Sequence, residues 1–187
     1  MLIDRTVLVN PCHAVPEGFR NAIELVSIPV EEGFSVCLEA ETARAFLALQ
    51  DFLGKTGLPV LPLSGYRSSA RQQEIWDRSV HDHGLEHTVR YLAKPGFSEH
   101  ETGLALDVVL YDRHGNRIEN DEAPEYEIMF PHLHEFGFIL RYPRGQESVT
   151  GYSYEPWHIR YVGIQAAKVI HENHWTLEEF KKMENRP

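Results

Sequence analysis

Long apolar runs are missing. No stretch approaches the roughly 18 to 20 residues that a membrane-spanning helix needs, and Asp4 and Arg5 interrupt the place where a secretory signal would be apolar. The expectation is a cytoplasmic protein without a membrane span. Cysteine is scarce: Cys12 and Cys37 stand alone, which excludes a disulfide-dense secreted scaffold and predicts free, partly buried thiols. Gly/Ser linkers, internal repeats and low-complexity tracts are also lacking, so nothing divides residues 1–187 into more than one domain. Positive charge is in deficit, with 18 Lys and Arg against 28 Asp and Glu and a formal charge of −10. Such a surface repels a phosphate backbone, so no nucleic-acid partner is expected.

What remains is an ordinary globular composition, 42% hydrophobic and 25% charged, enough apolar side chain for one core. Its single oddity is eleven histidines, which prompts a search for metal-ligand spacing.

Residues 7–10 read as an extended piece, followed by a Pro-punctuated loop over residues 11–18. Valine and serine alternate through residues 34–38. Ala43, Phe46, Leu47, Leu49 and Leu53 recur at helical spacing, predicting a helix over residues 39–53 that Gly54 closes. A strand over residues 58–63 should turn at Ser64 and Gly65. Ser68 or Ser69 can then cap a helix reaching about Val80, which leaves Arg67 at the mouth of a strand-turn-helix. The β-like run over residues 104–111, whose Val108 and Val109 favour extended structure, predicts a strand containing Asp107, followed by a charged turn. A helix over residues 125–135, strands over residues 138–142 and 157–162, and helices over residues 164–172 and 177–183 complete the order. The irregular alternation favours an α+β fold, a small antiparallel sheet flanked by helices.

The chemistry concentrates in two segments. In SEHETGLALD, residues 98–107, an imidazole at His100 and a carboxylate at Asp107 flank a glycine turn that can fold the loop back on the following strand. In EPWH, residues 155–158, His158 follows Glu155 by three positions. Two histidines and one carboxylate suit zinc, and catalytic zinc sites keep a fourth position open. The glutamate that is not a ligand can take a proton from water and return it to a leaving amine, and Glu155 is the natural candidate. Arg67 supplies a permanent cation for a substrate carbonyl. Together these residues point to metal-assisted amide hydrolysis, although each alone is more often structural.

The blocks SGYRS (residues 64–68), SEHETGLALD (residues 98–107) and EPWHIRYVG (residues 155–163) resemble the three signatures of the VanY family of zinc D-alanyl-D-alanine carboxypeptidases. LVNPCHAVP (residues 8–16) and FGFILRYP (residues 136–143) resemble the same family. The resemblance implies the Hedgehog-like D,D-peptidase fold, one zinc ion held by His100, Asp107 and His158, Glu155 as catalytic base and Arg67 as a substrate and transition-state contact. It further implies that Gln72 lies near the substrate's C-terminal end and Ser98 at the site rim. WTLEEF (residues 175–180) and the lack of an export signal look most like the cytoplasmic VanXY branch, which acts on both the D-Ala-D-Ala dipeptide and the pentapeptide precursor. The expected partners are therefore peptidoglycan precursor peptides ending in D-Ala.

An L,D-carboxypeptidase acting on a tetrapeptide shares these signatures, and a non-catalytic zinc-stabilised binding module is the reading from another class. Among the remaining features, Tyr154 and Trp157 are candidate walls of a peptide groove. His81, His83 and His87, like His132 and His134, are expected in solvent rather than on a second metal. The acidic residues 119–127 read as a solvated loop and helix start, with Asp121, Glu122 and Glu125 as candidate selectors between dipeptide and pentapeptide.

Overall fold

The computed structural model describes residues 3–31 and 33–184. A short helix α1 (Phe19–Ala22) precedes a hairpin of β1 (Leu25–Glu31) and β2 (Phe34–Glu39), which runs directly into the long helix α2 (Ala40–Lys55). Strand β3 (Val60–Ser64) and helices α3 (Ser69–His83) and α4 (Leu85–Tyr91) follow, then a 3₁₀ turn (Glu99–Thr102) and β4 (Ala105–Leu110). The remainder is α5 (Pro124–Leu133), a 3₁₀ turn (His134–Phe136), β5 (Phe138–Leu140), α6 (Glu147–Thr150), β6 (His158–Tyr161), α7 (Ile164–Asn173) and α8 (Leu177–Glu184). The four-stranded sheet has the order β3-β4-β6-β5 with every pair antiparallel, so the expected α+β plan of a small antiparallel sheet among helices is what forms.

Period-two alternation in β4 divides its side chains between two jobs. Leu106, Val108 and Leu110 enter the main core, where they meet Phe46, Leu49 and Leu53 of α2 together with Met129, Phe138 and Ile159. Each such side chain contributes about 1.5 to 3 kcal/mol on burial. The intervening position presents Asp107 to the opposite face. A second cluster, Ile139, Val162, Ala167, Ile170, Leu177 and Phe180, seats α7 and α8.

Helix α2 begins on an ionised cap. The Glu39 carboxylate accepts from the N–H groups of Glu41 and Thr42 at 3.1 and 2.9 Å and from Arg5 Nη2 at 3.1 Å. Burial alone would raise its pKa, but the backbone donors of Thr42 and Glu41, with Arg5, hold it below the ordinary value. An acid whose folded pKa is depressed stabilises above the unfolded value of about 4.3 and loses that contribution as pH falls through the folded value. Glu39→Ala should therefore cost about 1 to 2 kcal/mol at neutral pH, the range for loss of a cap. Denaturant titrations at pH 7 and pH 3 should show the difference between variant and wild type shrinking in acid.

Several boundaries differ from the sequence reading. Gly54 lies inside α2, and the chain turns instead at Gly57, φ 89°. Residues 7–10 form no strand; Val7 and Val9 are buried and Asn10 makes only an isolated bridge to His13. Strand β1 and helix α4 were not foreseen: Pro29 interrupts the first, and the polar, His-rich composition hides the second. Cys12 and Cys37 are both free, but Cys12 is exposed rather than partly buried. His81, His83 and His87 are in solvent as expected. His132 and His134 are not: they are half-buried, His132 against Phe52 with ring centroids 4.8 Å apart and His134 stacked on His171 at 3.9 Å.

Candidate active site

Strand register assembles the site. Ser64 of β3 pairs with Asp107 of β4, and Asp107 pairs with His158 of β6, so three polar side chains form a row across adjacent strands. The β3 register shifts between Pro62 and Ser64, a bulge beside the site that re-aims the strand end. Beyond it the chain passes Gly65, where an added Cβ would lie 2.5 Å from the Cys37 carbonyl oxygen and from Val36 Cγ1, so only glycine lets β2 approach so closely. Ser68 then caps α3 through the Arg71 N–H at 3.1 Å. This strand-turn-helix leaves Arg67 at the mouth.

His100 arrives from the other side on the 3₁₀ turn, which ends at Gly103 with φ 69°, a conformation natural to glycine. Its Nδ1 donates to the Gly65 carbonyl at 2.7 Å, and its Nε2 lies 3.4 Å from Asp107 Oδ2. His158 Nδ1 lies 3.1 Å from Asp107 Oδ1, while its Nε2 faces Glu99 Oε2 at 3.3 Å. One ligand atom from each of His100, Asp107 and His158 falls within 4.8 Å of the others. Two imidazole nitrogens and a carboxylate oxygen form a zinc-type donor set, and each ring's second nitrogen is held by a protein acceptor, as ligating histidines require. The residues fit a zinc ion.

Electrostatics separate the carboxylates. Burial pushes Glu155 up to about 7, with His158 opposing and Asp107 adding to the rise. Desolvation would raise half-buried Asp107 too, yet His100 and His158 hold it well below the usual range. Burial lowers His100. For His158 burial is outweighed by hydrogen bonds to Asp107 and Glu99, which lift it to about 9. Glu155 Oε2 stands 3.9 Å from His158 Nδ1, beyond direct hydrogen bonding but within the same pocket.

These side chains line one cavity of about 170 Å³ that also contains Arg67, Gln72, Ser98 and Trp157. Arg67 Nη2 donates to Asp107 Oδ2 at 3.0 Å and to Ser64 Oγ at 2.8 Å, and its Nη1 makes only a 3.5 Å contact with Gln72. Gln72, fully buried, donates to the Ala93 carbonyl at 2.8 Å. Tyr154 does not line this cavity; its ring lies under Arg144 at 4.2 Å. Nor do Asp121, Glu122 or Glu125, and Glu122 is paired with Arg144 at 2.6 Å. Glu101 of the same turn is fully buried but paired with Arg20 instead. Tyr142 and Glu99 are wall residues the sequence reading passed over; their signals were adjacency, one inside FGFILRYP and the other beside His100.

The same three blocks lie within a longer likeness. Residues 35–164 match the family described as VanY, D-alanyl-D-alanine carboxypeptidase. The chain belongs to the VanY family. Among VanY-family relatives, the bifunctional D-Ala-D-Ala dipeptidase and D-Ala-D-Ala carboxypeptidase VanXYC of Enterococcus gallinarum is 35% identical over 183 residues, covering 92% of this chain and 91% of that protein. YodJ of Bacillus subtilis (strain 168) is 38% identical over 182 residues, covering 92% of this chain, which spans 65% of YodJ's length. A crystal structure of the vancomycin-resistance D,D-pentapeptidase VanY from a VanB-type cassette, a variant in complex with Zn(II), superposes with a TM-score of 0.80 at 31% identity over 94% of this chain and 98% of that one. The fold and the His-Asp-His cluster of this VanY-family chain thus agree with a likeness over nearly its whole length.

Proposed function

We propose that the protein is a zinc-dependent D,D-peptidase that hydrolyses the terminal D-Ala-D-Ala bond of peptidoglycan precursors, both pentapeptide and free dipeptide. The observation that carries the reading is the meeting of His100, Asp107 and His158 with Glu155 and Arg67 around one cavity. In this reading His100, Asp107 and His158 hold the metal. Zinc, when bound, would activate a water for attack and polarise the scissile carbonyl. Glu155 would take the proton from the attacking water and deliver it to the leaving amine, a task suited to a carboxylate whose pKa burial raises and a neighbouring cation lowers. Arg67, braced by Ser64 and Asp107, has its Nη1 edge left for the substrate's oxygen. Gln72, Ser98 and Trp157 serve as substrate-binding walls. Tyr154, held away by Arg144, would meet only a longer peptide.

The proposal includes a cytoplasmic place of action, in keeping with the likeness to VanXYC. It treats residues 1–187 as a single zinc peptidase domain, of which 1–2, 32 and 185–187 lie outside the described residues. Among those described, no helix is long and apolar enough to cross a membrane.

The test is to incubate zinc-loaded protein with D-Ala-D-Ala, a muramyl pentapeptide and a tetrapeptide, and to follow released D-alanine. Release from the first two is expected. Release from the tetrapeptide alone reassigns the protein as an L,D-carboxypeptidase, and silence on all three favours a zinc-stabilised binding module.

Arg67→Lys should be damaging although the charge survives. An ammonium cannot hold Ser64 and Asp107 while keeping a further fixed donor for substrate. Turnover should drop about 10²-fold or more, as for loss of one preorganised donor. An effect confined to KM moves Arg67 from the transition state to ground-state binding.

A further inference from the structure

A charged network lies beneath the site, and its placement is not explained by stability. Arg141 and Arg160 are fully buried and Glu99 and Glu178 nearly so. Arg141 grips Glu178 with Nη1 and Nη2 at 3.0 and 2.7 Å and gives its Nε to Glu99 Oε1 at 2.7 Å. Arg160 Nη1 donates to the same Glu99 oxygen at 2.6 Å. Two guanidinium groups and two carboxylates balance in charge, but a buried ion network of this kind gains little over an apolar filling of equal volume. Its geometry suggests another use. Both arginines converge on Oε1 of Glu99, leaving Oε2 aimed at His158 Nε2, 3.3 Å away.

From this geometry we infer that Glu99 is a positioning residue for the metal: its carboxylate commits the Nε2–H of His158 and fixes the ring so that Nδ1 presents its lone pair to the cavity. The inference rests on the reading that His158 is a ligand. His100 reaches the same end with a backbone acceptor, its Nδ1 held by the Gly65 carbonyl. The two rings stand edge to face, 5.0 Å between centroids and 85° between planes, each locked from behind by a different group. An imidazole bonded to an anion is a stronger donor than one bonded to a neutral carbonyl. Arg141 and Arg160 keep the anion in place, each donating to its Oε1 at 2.7 and 2.6 Å. Glu178 belongs to the same network but does not touch His158, and this makes it the control.

The experiment compares the full-length wild type with Glu99→Gln, Glu99→Asp and Glu178→Gln. Zinc affinity is measured by chelator competition, the His158 tautomer by side-chain ¹⁵N shifts of the zinc-loaded protein, and Tm without metal. Glu99→Gln should weaken zinc about 10- to 100-fold, the range for loss of a partner behind a ligating histidine, and should move the His158 ¹⁵N shifts. Glu178→Gln should lower Tm comparably yet leave zinc affinity within about 3-fold. Should Glu99→Gln not fold, Glu99→Asp keeps the charge between the arginines but withdraws the carboxylate from His158, and zinc should still weaken. Equal effects of the Glu99 and Glu178 variants on zinc, or unchanged affinity in both Glu99 variants, overturn the inference. If His158→Ala binds zinc as wild type does, the ligand assignment itself fails, a result distinct from either.

Discussion

Glu155→Gln should keep its zinc and lose turnover by about 10² to 10⁴-fold, the size expected of a positioned acid-base group. The amide preserves volume in a buried position, so the local fold survives. The backbone there is fixed independently of the side chain, the Glu155 N–H donating to the Tyr142 carbonyl at 3.2 Å and the Glu155 carbonyl accepting from the His158 N–H at 3.2 Å. What is lost is proton capacity. Burial lifts the carboxyl to about 7 in the cavity without metal, and a divalent cation at the neighbouring ligands lowers it again. The acid limb of kcat/KM in the loaded wild type should therefore lie below pH 7, activity rising as the carboxyl ionises, and should be missing from the residual rate of the variant. Metal content and a pH profile measured side by side decide the matter. Turnover within a few fold of wild type, with the acid limb intact, removes Glu155 from the role.

His158→Ala should abolish stoichiometric zinc and activity together, and His100→Ala should do likewise. Among the described residues the donor cluster is His100, Asp107 and His158 alone: Asp107 remains with one imidazole, and Arg67 already occupies its Oδ2. The His158 change should be the more damaging to stability. It leaves Glu99 Oε2 buried without its ring partner, and a buried acceptor deprived of its donor costs about 1 to 3 kcal/mol. His100→Ala instead strands the neutral Gly65 carbonyl, which loses its 2.7 Å ring donor and costs less to leave unpaired than a carboxylate. Metal analysis after dialysis, with thermal melts with and without added zinc, separates the two effects. A variant that retains stoichiometric zinc and near-normal turnover strikes its histidine from the ligand set.

The legible parts of the site were those that combine a chemical type with a short fixed spacing. His100 and Asp107 share one turn and the strand it feeds, and Glu155 and His158 share another, so local sequence already paired them. Strand β4 was plain because an apolar run with Val108 and Val109 favours extended structure, and α2 because Phe46, Leu49 and Leu53 keep helical spacing. Arg141 and Arg160 were illegible for the opposite reason. An arginine in a strand reads as solvent-facing, and only burial against Glu99 and Glu178 reveals otherwise. Tyr154 lies outside the cavity, its ring under Arg144, because sequence adjacency to Glu155 cannot specify which way a side chain on irregular chain turns. The acidic residues 119–127 form the expected solvated loop and helix start, but Asp121, Glu122 and Glu125 do not line the cavity, and Glu122 pairs with Arg144.

The network behind His158 also sets an order of events in folding. Arg160 Nη2 donates to the carbonyls of Arg5 and Val7, Arg141 Nη2 to that of Val9, and Asn10 to Glu178, contacts whose partners lie 155, 153, 132 and 168 positions apart in sequence. Loops so long close late, after helices and hairpins that need only neighbours have formed. During refolding, far-ultraviolet circular dichroism should therefore recover before the capacity to hold zinc tightly. The metal-binding step becomes a reporter of the last long-range closure, and a chelating dye in the refolding buffer would time it.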